Sequence, residues 1–292
     1  MRLKSVLLSG TPFGALLGAV AAAAVALGLV ATFFVAKPLA QSAPAKGKAE
    51  TYVFFVFADA VEGQEAEFKR WYDHQHAPDV VAVPGFVTAR RYVAAEAQLR
   101  NNPLPSKYLV VYTIVTDDLA AVQAEVARRL ATKMTVISPT FKGASNAPSG
   151  YFKVISPIIP HQGAQPPAPK GHVDTYAQFV FSNPVPGTSQ DEFNTWYEKT
   201  HAVEVVSSPH WIEAQRGQLM NPRVRSGQTT YNYLIAFTIV TDNLPSTWEA
   251  YRQRSTPMTK GPLGENVGYT YKTWGPLLYG DQVRAERARA SK

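Results

Sequence analysis

Two histidines stand in the same aromatic setting, 125 residues apart. The first lies in EFKRWYDHQHAPDV, Glu67 to Val80, and the second in EFNTWYEKTHAVEV, Glu192 to Val205. Phe68, Trp71, Tyr72, His76, Ala77 and Val80 recur as Phe193, Trp196, Tyr197, His201, Ala202 and Val205. At 100° per residue, Phe68, Trp71, Tyr72, His76 and Val80 share one side of a helix, and His74 faces the other way. Asp73 and Asp79 flank His76 at three residues on either side, as Glu198 and Glu204 flank His201. An imidazole among aromatics stays neutral near pH 7, because burial lowers a pKa of ~6.5. Such a group can take a proton, and Tyr72 or Tyr197 one turn behind can give one. The competing reading is a core histidine satisfied by its neighbours. Arg91 and Arg216 match on the strands that follow and are candidates to hold a carboxylate or an enolate. Their competing reading is an ion-paired strand residue. Trp71, Trp196, Tyr112 and Phe237 either line a pocket for a flat substrate or fill the core.

Other chemistries find no support. The chain has no cysteine, so thiolate catalysis and cysteine metal sites are excluded. No glycine-rich loop follows a strand to cradle a phosphate. His74 and His76 are two apart, which sends them to different sides of a helix. Asp73, His76 and Asp79 make a metal site only if the helix loosens at Pro78. The sequence therefore predicts neither a cofactor nor a metal. The formal charge is +7, of which Arg2, Lys4 and Lys37 belong to an acid-free leader. The remaining excess is too small to indicate nucleic acid as a partner.

The elements that must position these residues come in two sets. Residues 1–45 begin with Arg2 and Lys4 and continue without charge from Ser5 to Ala36. They read as an export signal, with Ala40 and Ala43-Pro44-Ala45 offered to a peptidase. The apolar tract also reaches the ~20 residues that cross a bilayer, so an uncleaved anchor is the alternative. Either form predicts a periplasmic or extracytoplasmic protein, the uncleaved one held at the inner membrane, that meets a membrane only through this segment. In the first unit, 51–157, Thr51–Ala58 is a strand apolar on both faces. The histidine helix follows to about Val81, then strands Phe86–Ala94 and Tyr108–Thr116. A helix capped by Asp117-Asp118 runs through Leu130, and Tyr151–Ser156 closes the unit. The order is β-α-β-β-α-β, the ferredoxin-like arrangement. Residues 158–174 form a proline-rich linker unable to pair as a strand, with His161 and His172 as isolated surface residues. The second unit, 175–277, repeats the order with strand Tyr176–Phe181, helix Glu192–Val206 and strands Trp211–Gln218 and Tyr233–Thr241. A helix capped by Asp242 and the strand Tyr269–Trp274 complete it. Residues 278–292 are a basic tail, read as a solvated helix end or a frayed terminus.

The pattern W-Y-x-x-x-H (Trp71, Tyr72, His76), the V-P-G-F turn (Val83 to Phe86) and the strand YLVVYTIV resemble the dimeric α/β barrel superfamily, and within it the EthD-like proteins. The resemblance spans both halves, but the second half has Val203 in place of Pro78 and His210 in place of Gly85. It implies an α+β protein in which two tandem ferredoxin-like units pack sheet to sheet as an intramolecular dimeric α/β barrel. A monomer or weak homo-oligomer follows. Relatives include cofactor-free lyases, isomerases, cyclases and monooxygenases, and haem-binding branches. The expected function is cofactor-independent acid–base chemistry, of lyase, decarboxylase or isomerase type, on a small aromatic or phenolic compound in aromatic catabolism. The catalytic set is His76, Tyr72, His201, Tyr197, Arg91 and Arg216. The alternatives are a cofactor-free monooxygenase, or a protein that binds an apolar ligand or haem through His76 or His201.

Overall fold

A computed structural model describes residues 47–144, 147–166, 171–220 and 230–291. The expected leader, 1–45, lies outside them. Among the described residues no helix is long and apolar enough to cross a membrane. The first repeat runs β1 (Glu50–Ala60), α1 (Glu65–Trp71), a π-helical turn (Tyr72–His76), α2 (Ala77–Val81), β2 (Phe86–Ala94), β3 (Tyr108–Thr116), α3 (Leu119–Ala131), β4 (Phe141–Gly143) and β5 (Gly150–Val154). After β6 (Ile159–Pro160) come β7 (Asp174–Pro184), α4 (Gln190–Trp196), a second π-helical turn (Tyr197–His201), α5 (Ala202–Val206) and β8 (Trp211–Met220). The chain then continues through β9 (Tyr233–Thr241), α6 (Leu244–Arg252), β10 (Leu263–Thr273), β11 (Leu278–Tyr279) and α7 (Gly280–Ala290).

The protein is α+β, and its sheet closes into a barrel. The path β10-β7-β9-β8-β5-β1-β3-β2 returns to its start, because β10 pairs with both β7 and β2. Two seams join the repeats. One is β5 on β8, with Tyr151 opposite Met220. The other is β10 on β2, with Tyr271 opposite Ala94. Strand alternation sorts the side chains of β1. Val53, Phe55 and Phe57 point to the barrel interior, where Phe55 meets Phe179 edge-on at 5.1 Å. Phe54, Val56 and Ala58 point outward onto the helices of their own repeat. A strand apolar on both faces is what a wall between two cores requires. Each fully buried phenylalanine contributes ~1.5–3 kcal/mol to that closure.

Several expectations change. Asn243, not Asp242, caps α6 by accepting from the Ser246 amide at 3.0 Å, whereas Asp118 caps α3 as expected. The proline-rich segment does pair: Ile159 and Pro160 lie along β8, and the His161 amide donates to the Ile212 carbonyl. Pro160 sits in an edge strand opposite Glu213, where its missing N–H costs no ladder bond. His161 is no isolated surface residue, since its Nδ1 lies 2.8 Å from the Val206 carbonyl oxygen. His172 is exposed as expected. The basic tail neither frays nor stands free. β11 pairs with β2, and Arg284 donates to the Phe86 carbonyl at 3.1 Å and the Val81 carbonyl at 3.3 Å. Arg287 pairs with Asp79. A guanidinium on the last carbonyls of α2 satisfies groups that the helix itself leaves open.

Candidate functional site

The histidine helices are not uniform. At Tyr72–His76 and again at Tyr197–His201 the helix widens into a π turn, closed by the Ala77 and Ala202 amides on the Tyr72 and Tyr197 carbonyls. Such single-turn bulges occur mostly at functional positions. In a regular helix residues five apart diverge by ~140°. The π turn brings them into register, so His76 stacks on Trp71 at 4.5 Å and His201 on Trp196 at 4.8 Å. Each imidazole also meets its tyrosine edge-on at 5.1 Å. Pro78 does not cause the bulge, because the second copy has Val203 there and bulges alike.

Burial lowers both histidines to about 4, so both are neutral at pH 7. The Val136 carbonyl partly offsets this for His76; for His201, Glu204 does so while Arg100 and Arg254 push further down. Nδ1 of each ring is buried without a hydrogen-bond partner. His74 is exposed, as the helix phase predicts. The flanking carboxylates serve other groups. Asp73 pairs with Arg91 and Lys69, Glu198 with Arg216 at 3.0 Å, and Glu204 takes the Thr259 amide at 2.9 Å.

Arg91 and Arg216 are buried, at 4% and 1% exposure, and ion-paired. Arg216 also donates to Asn194 Oδ1 at 2.9 Å and lies over the Tyr197 ring at 4.7 Å. Arg91 lies over Trp274 at 4.7 Å, and its Nη1 has no partner. Burial pushes the Tyr72 and Tyr112 phenols up; each feels the other and Arg91, and neither hydroxyl has a partner of normal geometry. Tyr197 is pushed up to about 12 by burial, against the pull of Arg216 and Arg100.

The two repeats differ most in their cavities. The first, about 10 Å³, is bordered by Phe68, Tyr72, Arg91, Tyr108 and Trp274, and His76 is not among its walls. The second, about 20 Å³, is bordered by His201, Tyr197, Arg100, Gln178, Trp211 and Tyr251, along with Phe237. One water needs ~10–15 Å³, so the second cavity holds about one and the first barely that. The two cavities do not occupy matching places: where Gln178 borders the second, the first repeat has Phe54, which borders no cavity. Phe54 sits opposite Tyr112 on β3 and stacks on Tyr151 at 4.3 Å. Its counterpart opposite Phe237 on β9 is Gln178, whose Oε1 accepts from Thr270 and whose Nε2 has no partner.

Residues 63–139 match the EthD domain. The match falls within the first repeat. The W-Y-x-x-x-H helix and the V-P-G-F turn both lie inside it, whereas the second repeat lies outside the matched range. No curated protein sequence matches the chain. Among solved structures, the chain is similar to an anthrone oxidase-like protein at 14% identity, covering 82% of this chain and 96% of that one, with a TM-score of 0.48. A putative monooxygenase from Fusobacterium nucleatum is 9% identical, over 78% and 93%, at 0.43. A chlorite dismutase from Candidatus Nitrospira defluvii is 10% identical, over 82% and 96%, at 0.41. None reaches the similarity that would carry a shared activity.

As the structure stands, neither cavity has room for haem: beside His201 there is space for about one water, and His76 borders no part of the first cavity. Among the described residues no group of His, Asp and Glu is placed to hold a metal ion. Of the aromatic residues expected to line a pocket, Phe237 borders the second cavity, while Trp71, Tyr112 and Trp196 pack around the helices. The sequence reading did not single out Arg100, Gln178, Tyr251 or Arg254. Arg100 lies in the β2–β3 connection of the first repeat yet borders the other repeat's cavity. Gln178 did leave a signal: TYAQFVF against TYVFFVF places one amide in an otherwise apolar strand.

Proposed function

We propose that the chain is a cofactor-independent enzyme that performs acid–base chemistry on a small aromatic or phenolic compound at the second cavity. His201 acts as proton acceptor and Tyr197 as proton donor. The observation that carries this reading is the His201 Nδ1: buried, neutral at pH 7, without a partner, and on the wall of a cavity. With its proton on Nε2, the ring offers the Nδ1 lone pair to an acidic O–H or C–H. The anion so formed lies near Arg100 and raises the imidazolium pKa in turn, since an opposite charge within ~4–6 Å favours the charged form. The Tyr197 phenol, held protonated, can return a proton to carbon or oxygen. In this reading the two repeats are ferredoxin-like units that build within one chain the barrel other proteins build as a dimer, and 1–45 directs or anchors the protein outside the cytoplasm. The 125-residue offset and the two cross-repeat seams support the first point, and the charge-free tract after Lys4 the second.

The test is turnover of hydroxylated aromatic compounds, chosen by mass spectrometry of whatever copurifies, with oxygen uptake followed in parallel. His201→Ala is expected to lose ~10²–10⁴ in rate at unchanged fold. His76→Ala is expected to lower stability and leave the rate of the folded fraction close to wild type. Wild-type turnover in His201→Ala overturns the assignment. Oxygen consumed in step with substrate would place the chemistry with the monooxygenases. Fractionation of the host, with sequencing of the mature N-terminus, tests the location; a cytosolic chain retaining Met1 rejects it.

A further inference from the structure

The second cavity has an excess of hydrogen-bond donors. Gln178 Nε2 and Trp211 Nε1 belong to its walls, are on side chains only 1% exposed, and have no acceptor. An unsatisfied buried donor costs ~1–3 kcal/mol, so two on the wall of one cavity call for a ligand that accepts. The charge points the same way. Arg100 and Arg254 both act on His201 and on Tyr251, whereas Glu204 is the one carboxylate acting on His201 and is engaged by Thr259. Among the described residues no acidic side chain borders the cavity. Trp211, Phe237 and Tyr251 form its apolar side.

We infer that this cavity is the seat of the carboxylate of an aromatic acid, with Arg100 and Gln178 as the specificity-determining residues. This deepens the proposed function and rests on the same site. Arg100 supplies the charge and Gln178 Nε2 a fixed donor, while the ring of the acid lies against Trp211 and Phe237. The space they share exists because Gly268 has no side chain: a Cβ there would come within 2.7 Å of Gln178 Nε2 and 3.0 Å of Arg100 Cδ. The cavity admits only about one water as it stands, so the acid enters by displacing the β2–β3 connection at Leu99, which Gln98 holds on Thr270 at 2.8 Å, and Arg100 turns from Asn266 to the carboxylate. An arginine from the first repeat thus completes a site in the other repeat.

The experiment is titration calorimetry on the full-length chain with benzoate, salicylate and phenylacetate, against benzyl alcohol and acetate. At least one aromatic acid is expected to bind tenfold or more tighter than benzyl alcohol and than acetate. Arg100→Met and Gln178→Leu are each expected to weaken that acid ~10–100-fold, as the loss of a charge-assisted or buried hydrogen bond requires, and to weaken benzyl alcohol by less. Gly268→Ala, which keeps every donor, is expected to weaken it as well. Equal affinity for benzyl alcohol, equal affinity for acetate, no binding of any of the three acids, or full acid affinity in folded Arg100→Met and Gln178→Leu would each overturn the inference. The reading of His201 fails separately: acid binding with wild-type turnover in His201→Ala keeps the carboxylate seat and rejects the base.

Discussion

Replacing His76 with phenylalanine separates packing from titration. Phenylalanine keeps a flat ring against Trp71 and Tyr72 and removes both nitrogens. In the folded chain burial holds His76 at about 4. In the unfolded chain it returns to ~6.5. Between these values the unfolded state binds the proton and the folded state does not. Stability contributed by the neutral buried ring therefore rises with pH through this window and is lost as pH falls. From about pH 7 to about pH 4.5 the loss for this one group is ~2 kcal/mol, with a steepest slope of ~1.4 kcal/mol per pH unit. His201 contributes with the same sign. Glu213 contributes with the opposite sign, because burial raises its carboxyl to about 7 and acid then favours the folded state. Only the difference between wild type and variant isolates His76. The assay is urea unfolding followed by far-ultraviolet circular dichroism at both pH values. Wild type is expected to lose ~2 kcal/mol more than His76→Phe on acidification. Equal losses would refute the argument that His76 is a buried, neutral packing residue.

Two further outcomes follow from the fold. Gly85 and His210 hold matching left-handed positions, at φ 91° and 71°, but a Cβ on Gly85 would meet Val122 Cγ2 at 2.9 Å. Gly85→Ala is expected to destabilise by ~2 kcal/mol or more, and His210→Gly to change stability by less than ~1 kcal/mol, measured by denaturant unfolding. Arg284→Met removes the donor that holds the Val81 and Phe86 carbonyls, and is expected to cost ~1–3 kcal/mol and to open residues 280–291 to limited proteolysis.

Much of the frame was legible because it is periodic. Apolar runs placed the eight barrel strands, and the repeat placed the second helix pair once the first was read. The π turns were not legible, because a one-residue change of helical phase leaves no mark in an apolar pattern: 100° per residue put His76 on the correct side but not onto Trp71. The docking of the tail was hidden for another reason. Arg284 and Arg287 look solvated in sequence, and only the pairing of β11 with β2 carries them to the end of α2 and to Asp79. The linker misled through a sound rule applied too widely, since a proline at an outer edge gives up no ladder bond.

The two copies agree and disagree in an orderly way. They share what closing the barrel and packing the helices demand: the π turn, the tryptophan–histidine stack, and a buried arginine on the second strand paired to a carboxylate one residue after the tyrosine. Those features recur whether the place is filled by Phe54, as in the first repeat, or bordered by Gln178, as in the second, so by themselves they specify architecture. The departures fall at the second cavity: Gln178 where the first repeat has Phe54, and Phe237 where it has Tyr112. The amide costs burial energy in a strand that the phenylalanine stabilises. A polar group with an unmet donor, kept inside an apolar wall beside a neutral imidazole, is compensated only when something in the cavity accepts its hydrogen bond. The substitution that weakens the second repeat as a piece of structure is thus the one that fits it to hold a ligand.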